Sequence, residues 1–218
     1  MSEVALRTAE GIVRMVADTA VENEKYFSEL DAVVGDGDFG YSLARGFGKL
    51  LEEWDGLEYE DVAGLVRKTV IVLSGRIGGT SGPIWGTAFL RAGGALAGKA
   101  DPTGEDVVAA LRESIDGIKQ PGNAAVGDKT LLDALVPAVD TLEAQLTASA
   151  GAAAALAAAA ATARESAEAT RGMLAQRGRA AYSGERSRDS PDAGAIGVAV
   201  MVEAVSASWS TIGAGASS

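Results

Sequence analysis

Apolar side chains recur at intervals of three and four residues along almost all of this 218-residue chain, and nowhere do they alternate long enough to make a convincing strand. That periodicity commits the chain to packed helices, because only a 3.6-residue turn gathers such positions on one face. The first stretch, residues 4 to 29, carries Leu6, Ile12, Val13, Val16, Ala20 and Phe27 on one stripe. A second helix is expected from about Gly40 to Ser42 onward through Leu43, Phe47, Leu50, Leu51 and Trp54. A third runs from Tyr59 to Ser74, and a fourth from the Thr80-Ser81 cap to about Gly98. Asp101 or Thr103 is placed to cap a fifth, ending near Ile118. Asp128-Lys129-Thr130 opens a sixth, with a kink expected at Pro137. The segment from Ala152 to Ala163 is almost pure alanine, the best helix former, so a seventh helix is expected from about Gly151 to Gln176. The eighth spans about Ala195 to Ser208, and the serine- and glycine-rich tail from about residue 210 is expected to fray.

Glycine-rich loops at 35 to 40, 78 to 82, 122 to 127 and 178 to 194 precede helices two, four, six and eight. In an up-down antiparallel order, all four would fall at one end. Capping needs could produce the same alternation, yet four glycine loops on one rim describe a nucleotide site. No shift of composition divides the chain, so residues 1–218 read as one domain. The net charge of −11 argues against nucleic acid or an anionic membrane as partner, since both need a basic face. No apolar run approaches 18 residues and no leader pattern opens the chain, so a cytoplasmic location is expected. Cysteine is absent, which removes disulfides and thiolate metal sites. Histidine is absent too, and with it the commonest general base, the Ser-His and Cys-His pairs and the usual zinc ligand.

The chemistry concentrates in Leu30 to Gly46, L-D-A-V-V-G-D-G-D-F-G-Y-S-L-A-R-G, where Asp31, Asp36 and Asp38 stand among glycines 35, 37 and 40. Glycine admits backbone conformations closed to other residues, so this loop can turn its three carboxylates toward one point. Carboxylates so gathered repel one another unless a cation neutralises them, and an oxygen-only set suits Mg²⁺. The helix that follows offers free N–H groups for an anion. Other readings fail on spacing: Gly35-x-Gly37-x-x-Gly40 lacks the βαβ setting of a dinucleotide site, an EF-hand from Asp36 would need Glu where Phe47 stands, and no Walker A loop occurs. A surface turn with capping aspartates is the plain alternative.

These segments, with G-G-T-S-G-P-I-W-G-T-A-F-L-R-A, G-D-K-T-L-L-D-A-L-V-P and G-R-A-A-Y-S-G-E-R-S, resemble in order and spread the nucleotide-binding L subunit of dihydroxyacetone kinases, over residues 30 to 197. The resemblance implies an all-α fold, a closed barrel of eight antiparallel helices with ADP or ATP at one rim and two Mg²⁺ between aspartates and phosphates. It implies Asp31, Asp36 and Asp38 as metal ligands. It implies Phe39, Gly40, Tyr41, Ser42, Thr80 and Ser81 as phosphate-side contacts, and Gly122, Leu131, Arg179, Asp192, Ala193 and Gly194 as the remaining nucleotide contacts. Arg179 is the one candidate for a catalytic role. Taken singly, Thr80, Ser81 and Asp192 read equally as caps, Leu131 as core and Arg179 as a solvated loop residue. The chain departs from the family pattern at Phe39, where His or Thr occurs, at Ser42, where Asn is usual, and at Ala193, where Pro is common.

The expected function is the nucleotide-binding half of a two-component kinase, which passes a phosphoryl group to dihydroxyacetone or a related ketose such as erythrulose. The resemblance implies that the ketose is held by a separate K subunit through a histidine, which this chain cannot supply. ATP exchanging at each turnover and ADP rephosphorylated in place by a phosphotransferase-system multiphosphoryl carrier are both open. Two further readings stand beside the kinase: an Mg²⁺-ADP-dependent regulatory module and the nucleotide domain of a fatty acid kinase-like system.

Overall fold

The computed structural model describes residues 3–79, 81–120 and 123–214, and among them no strand occurs. The helices are α1 (Glu3–Glu22), α2 (Glu24–Ala32), α3 (Phe39–Glu53), α4 (Val62–Ser74), α5 (Ser81–Ala95), α6 (Gly104–Lys119), α7 (Leu132–Thr147), α8 (Ala152–Ala169), α9 (Ala193–Ala207) and α10 (Trp209–Ala214). Ten helices thus stand among the described residues where the periodicity predicts eight.

The extra helices arise at the two ends of the chain. Residues 4 to 29 carry one apolar stripe but two helices, because Asn23 turns its Nδ2 back onto the Thr19 carbonyl at 2.9 Å and leaves helical geometry. Past residue 208 the chain makes α10, which runs into the tail expected to fray from about residue 210, because buried Ile212 finds a seat on Gly11 of α1; residues 215–218 of that tail lie outside the described residues. The alanine-rich helix stops at Ala169 rather than Gln176 and passes into a 3-10 turn, Thr170–Gly172. Helix α7 runs across Pro137 without a break. Thr103 and Asp106 form a reciprocal capping box at the start of α6, and Asp61 caps α4 by accepting the Gly64 N–H at 2.6 Å.

Contacts follow chain order: α1 packs on α3, α3 on α4, and so on to α8 on α9, and α9 returns to α1. Helix α2 rests on α3 outside this sequence. The core is filled by Phe27, Leu43, Phe47, Leu50, Leu65, Leu73 and Ile196, all without exposure. Each contributes about 1.5–3 kcal/mol of burial. Phe47 meets Trp85 edge-on at 5.9 Å between ring centroids, joining α3 to α5. On α8 the buried stripe is Ala155, Ala159, Ala163 and Ala167, and such small side chains let α7 and α9 approach it on both sides. A bidentate Arg164–Glu203 pair then ties α8 to α9, with Nε–Oε1 at 2.8 Å.

Candidate functional site

The loop between α2 and α3 is shaped by contacts that only glycine allows. A Cβ on residue 35 would lie 2.2 Å from Asp31 Oδ1, and Gly37 has φ +75°, a left-handed conformation that other residues rarely adopt. The loop therefore folds back on Asp31, and each of Asp31, Asp36 and Asp38 offers a carboxylate oxygen within 4.8 Å of the others. Asp31 accepts the Phe39 N–H at 3.4 Å. Burial nonetheless lifts the Asp31 carboxyl above its ordinary value; the Phe39 N–H opposes this, and the charge of Asp36 and then that of Asp38 add to it. Asp38 precedes α3 without capping it through its side chain, which leaves its carboxylate available to the cluster.

The cation facing this cluster is Arg179. Its Nη1 lies 2.5 Å from Asp36 Oδ2 and 3.4 Å from Asp38 Oδ2. It belongs to a segment of 3-10 turns, Arg179–Asp189, entered through Gly178 at φ +62° and broken at Gly184. The sequence predicts a loop here, and the segment proves ordered by contacts rather than by periodicity. Ser183 donates its hydroxyl to the Val34 carbonyl at 2.9 Å, so the far side of the segment rests on the aspartate loop.

A cavity of about 360 Å³ opens beside the cluster. All four glycine-rich loops contribute to its wall: Asp36 and Asp38 from the first, Ser81 from the second, Ala124 from the third, and Arg179 with Asp192 from the fourth. Of the residues singled out in the sequence, Asp31, Phe39, Leu131, Ala193 and Gly194 also line it. Gly40, Tyr41 and Ser42 do not. Gly40 is pressed against α2, Tyr41 turns its ring outward and donates its N–H to Ser28 Oγ at 3.2 Å, and Ser42 is buried beneath Gly78. The Phe39 ring joins the core between Phe27 and Gly197, so its contact with the cluster is made by its backbone. Thr80 and Gly122 lie outside the described residues.

Asp192 caps α9 by accepting the Ala195 N–H at 2.7 Å, and burial pushes its carboxyl up to about 7. The residue that the sequence does not reveal is Lys129. Lysines have no recognisable pocket in the linear pattern, yet Lys129 is 2% exposed and lines the cavity. Its Nζ donates to the carbonyls of Met173, Ser187 and Ser190, and burial lowers its pKa. Only its place in Gly-Asp-Lys-Thr, between a glycine turn and a helix, hints at such a position. Trp85, Thr130 and Arg177 also stand in the wall; the first two lie in segments that carry the resemblance, and Arg177 has no sequence signal of its own. A larger open groove of about 950 Å³ crosses α5, α6 and α7 and shares no lining residue with this cavity. Carboxylates of its wall pair with Arg91 and Arg112, and among the described residues only Asp31, Asp36 and Asp38 converge closely enough to hold a metal ion.

Three carboxylates without nitrogen or sulfur ligands suit a hard divalent cation. Beside them the cavity offers Arg179 and the first turns of α5 and α9, where backbone N–H groups favour an anion. The arrangement can hold a metal-bound polyphosphate.

Residues 33–207 match the DAK2 domain family. Among curated proteins, the chain is 35% identical over 179 residues to the "PEP-dependent dihydroxyacetone kinase, ADP-binding subunit DhaL" of Escherichia coli, covering 82% of this chain and 85% of that one. It is 32% identical over 192 residues to the "PTS-dependent dihydroxyacetone kinase, ADP-binding subunit DhaL" of Lactococcus lactis, covering 84% and 86%. Among solved structures, the dihydroxyacetone kinase of C. freundii in complex with AMP-PNP and Mg²⁺ superposes with a TM-score of 0.72 at 30% identity, over 91% of this chain and 33% of that one. The chain thus spans about a third of that longer kinase.

Proposed function

The chain belongs to the DAK2 domain family, and from that premise we propose that it is the nucleotide-binding subunit of a two-component kinase for dihydroxyacetone or a closely related ketose. The observation that carries this reading is the convergence of Asp31, Asp36, Asp38 and Arg179 on a cavity walled by all four glycine loops. The aspartates would hold Mg²⁺, two ions in the fullest form of the proposal, and the metal would neutralise the phosphates of ADP or ATP. Ser81, Leu131 and Asp192 to Gly194 would border the nucleotide, with Arg179 toward the transferred phosphoryl group. In this reading the circuit of helices from α1 through α9 is the eight-helix barrel that the resemblance implies, and residues 1–218 act as one unit.

The ketose is assigned to a partner subunit, because this chain has no histidine and every identified feature of the cavity serves the nucleotide. Exposed apolar side chains mark where that partner would dock: Val33, Tyr41, Val126 and Tyr182 lie on or beside three of the four loops. The E. coli and L. lactis relatives are named as ADP-binding subunits of PEP- and PTS-dependent kinases. Their names support ADP that stays bound and is rephosphorylated by a phosphotransferase-system carrier in the cytoplasm. No helix of the described residues is long and apolar enough to cross a membrane.

The test is reconstitution. The purified chain should bind Mg²⁺-ADP, phosphorylate dihydroxyacetone at no more than background rate alone, and turn over when a ketose-binding subunit, phosphoenolpyruvate and the carrier proteins are supplied. Turnover with ATP and no carrier would instead assign nucleotide exchange. Robust ketose phosphorylation by the chain alone would refute the two-component reading.

A further inference from the structure

The segment bearing Arg179 is closed at its neck by the turn that precedes α7. Asp128 receives the Gln176 N–H on its carbonyl at 3.0 Å and the Arg177 Nε on its carboxylate at 2.9 Å. Lys129 reaches further in. Its ammonium donates to the carbonyls of Met173, on the incoming strand of the neck, and of Ser187 and Ser190, on the outgoing one, the last at 2.7 Å. A fourth bond crosses the same neck, from the Ala175 N–H to Ser187 Oγ at 3.0 Å.

An ammonium group has three protons, and here three carbonyls take them. Lys129 therefore has no donor left for a phosphate, although it stands in the cavity wall. Its own backbone sits at φ +62°, a left-handed conformation that is costly for a lysine. That geometry persists because buried Asp133 holds the turn, accepting the Gly127 N–H at 2.5 Å and the Thr130 N–H at 2.7 Å. A buried charge, a strained backbone and two strands of one neck meet at a single side chain, and what the neck carries is Arg179.

We infer that Lys129 is a positioning residue for Arg179: by joining both strands of the neck, it fixes where the guanidinium meets the cluster of aspartates. This rests on the nucleotide-site reading above, but the clamp itself is a property of the protein without ligand. Loss of the ammonium removes the donor shared by the Met173, Ser187 and Ser190 carbonyls and loosens the neck, so Arg179 no longer arrives where the phosphates would lie.

The test is a double-mutant cycle with Lys129→Met, close in length but uncharged, and Arg179→Ala. Calorimetry with Mg²⁺-ADP should show each single variant weakened about tenfold, the size of one lost charge-assisted hydrogen bond. The double variant should bind no more weakly than Arg179→Ala alone. A merely structural lysine would give losses that multiply to about a hundredfold, and that result, or wild-type affinity in Lys129→Met, would overturn the proposal. Amide exchange in the nucleotide-free protein reads the clamp independently: Lys129→Met should speed exchange over residues 178 to 186 about tenfold and leave α4 unchanged. Unchanged exchange in that segment sinks the clamp even if nucleotide binds. If wild type fails to bind Mg²⁺-ADP while the exchange result holds, the functional reading falls and the clamp stands. Should Lys129→Met not fold, Ser187→Ala removes the neighbouring neck bond and should give the same non-additivity with Arg179→Ala, at a smaller size. Multiplying losses there would equally overturn the proposal.

Discussion

Gly40 lies so close to α2 that a Cβ added to it would stand 2.0 Å from the carbonyl oxygen of Glu24. Helix α2 ends in Asp31 and Ala32, and α3 begins beside Asp38, so the contact between these two helices fixes the distance across the aspartate cluster. Gly40→Ala should force the helices apart. We expect a loss of about 1–3 kcal/mol in urea unfolding, together with weaker Mg²⁺-ADP binding by calorimetry. Wild-type stability would show that α2 yields freely.

Binding of ADP should require a divalent cation, since three carboxylates beside a polyphosphate repel it otherwise. Addition of EDTA should abolish the calorimetric signal. Asp36→Asn and Asp38→Asn should each weaken binding by tenfold or more, and together by less than the product, because they serve the same ion. Retention of full metal dependence in either variant would make that aspartate a turn residue only.

The stability of the protein should decline between about pH 4 and 7 through Asp192. Its carboxyl titrates near 7 in the fold against an ordinary value of 3.8. Between those values the folded state holds a proton that the unfolded state has lost, so stability falls as pH rises, and the effect is complete above the folded pKa. Asp192→Asn keeps a side-chain oxygen able to cap α9 and should flatten this component, a difference on the order of 2–4 kcal/mol. Unfolding of both proteins in EDTA-containing buffer across this range measures it. Parallel curves would place the raised carboxyl elsewhere.

Tyr182 is 93% exposed on the segment that carries Arg179. Tyr182→Ala should leave Mg²⁺-ADP affinity unchanged and weaken association with the ketose-binding subunit about 10- to 100-fold, as loss of an aromatic interface anchor does. Equal partner affinity by surface plasmon resonance would move the docking face away from this segment.

Ala163 has no exposure, while Ala161, two residues earlier on α8, is exposed. Ala163→Leu should cost about 1–3 kcal/mol through overpacking, and Ala161→Leu should fall within about 0.5 kcal/mol of wild type. Thermal unfolding of the pair distinguishes a buried alanine stripe from one that merely favours helix.

Helical periodicity, with caps and the alanine run, places seven long helices to within a few residues at most ends. It missed the α1–α2 break, since Asn23 interrupts the backbone without interrupting the apolar pattern. The aspartate cluster was legible because glycine spacing and carboxylates are local signals. Lys129 was not, because its burial depends on Met173, Ser187 and Ser190, more than 40 residues away. Phe39, Gly40 and Ser42 were marked by their neighbourhood; three-dimensional packing adds what the neighbourhood does not show, burying the Phe39 ring and Ser42 and pressing the Gly40 backbone against α2.

Helix α9 touches both α8 and α1, so the circuit of helices is sealed only by the last long helix among the described residues. During synthesis the aspartates precede Arg179 and the α9 end of the cavity by some 150 residues, at a ribosomal pace of roughly 5–20 residues per second. A nascent chain must therefore hold α1 to α7 for several seconds with one flank uncovered, and no nucleotide can reward it during that interval. Chaperone occupancy on ribosome-bound chains should accordingly persist until α9 clears the exit tunnel.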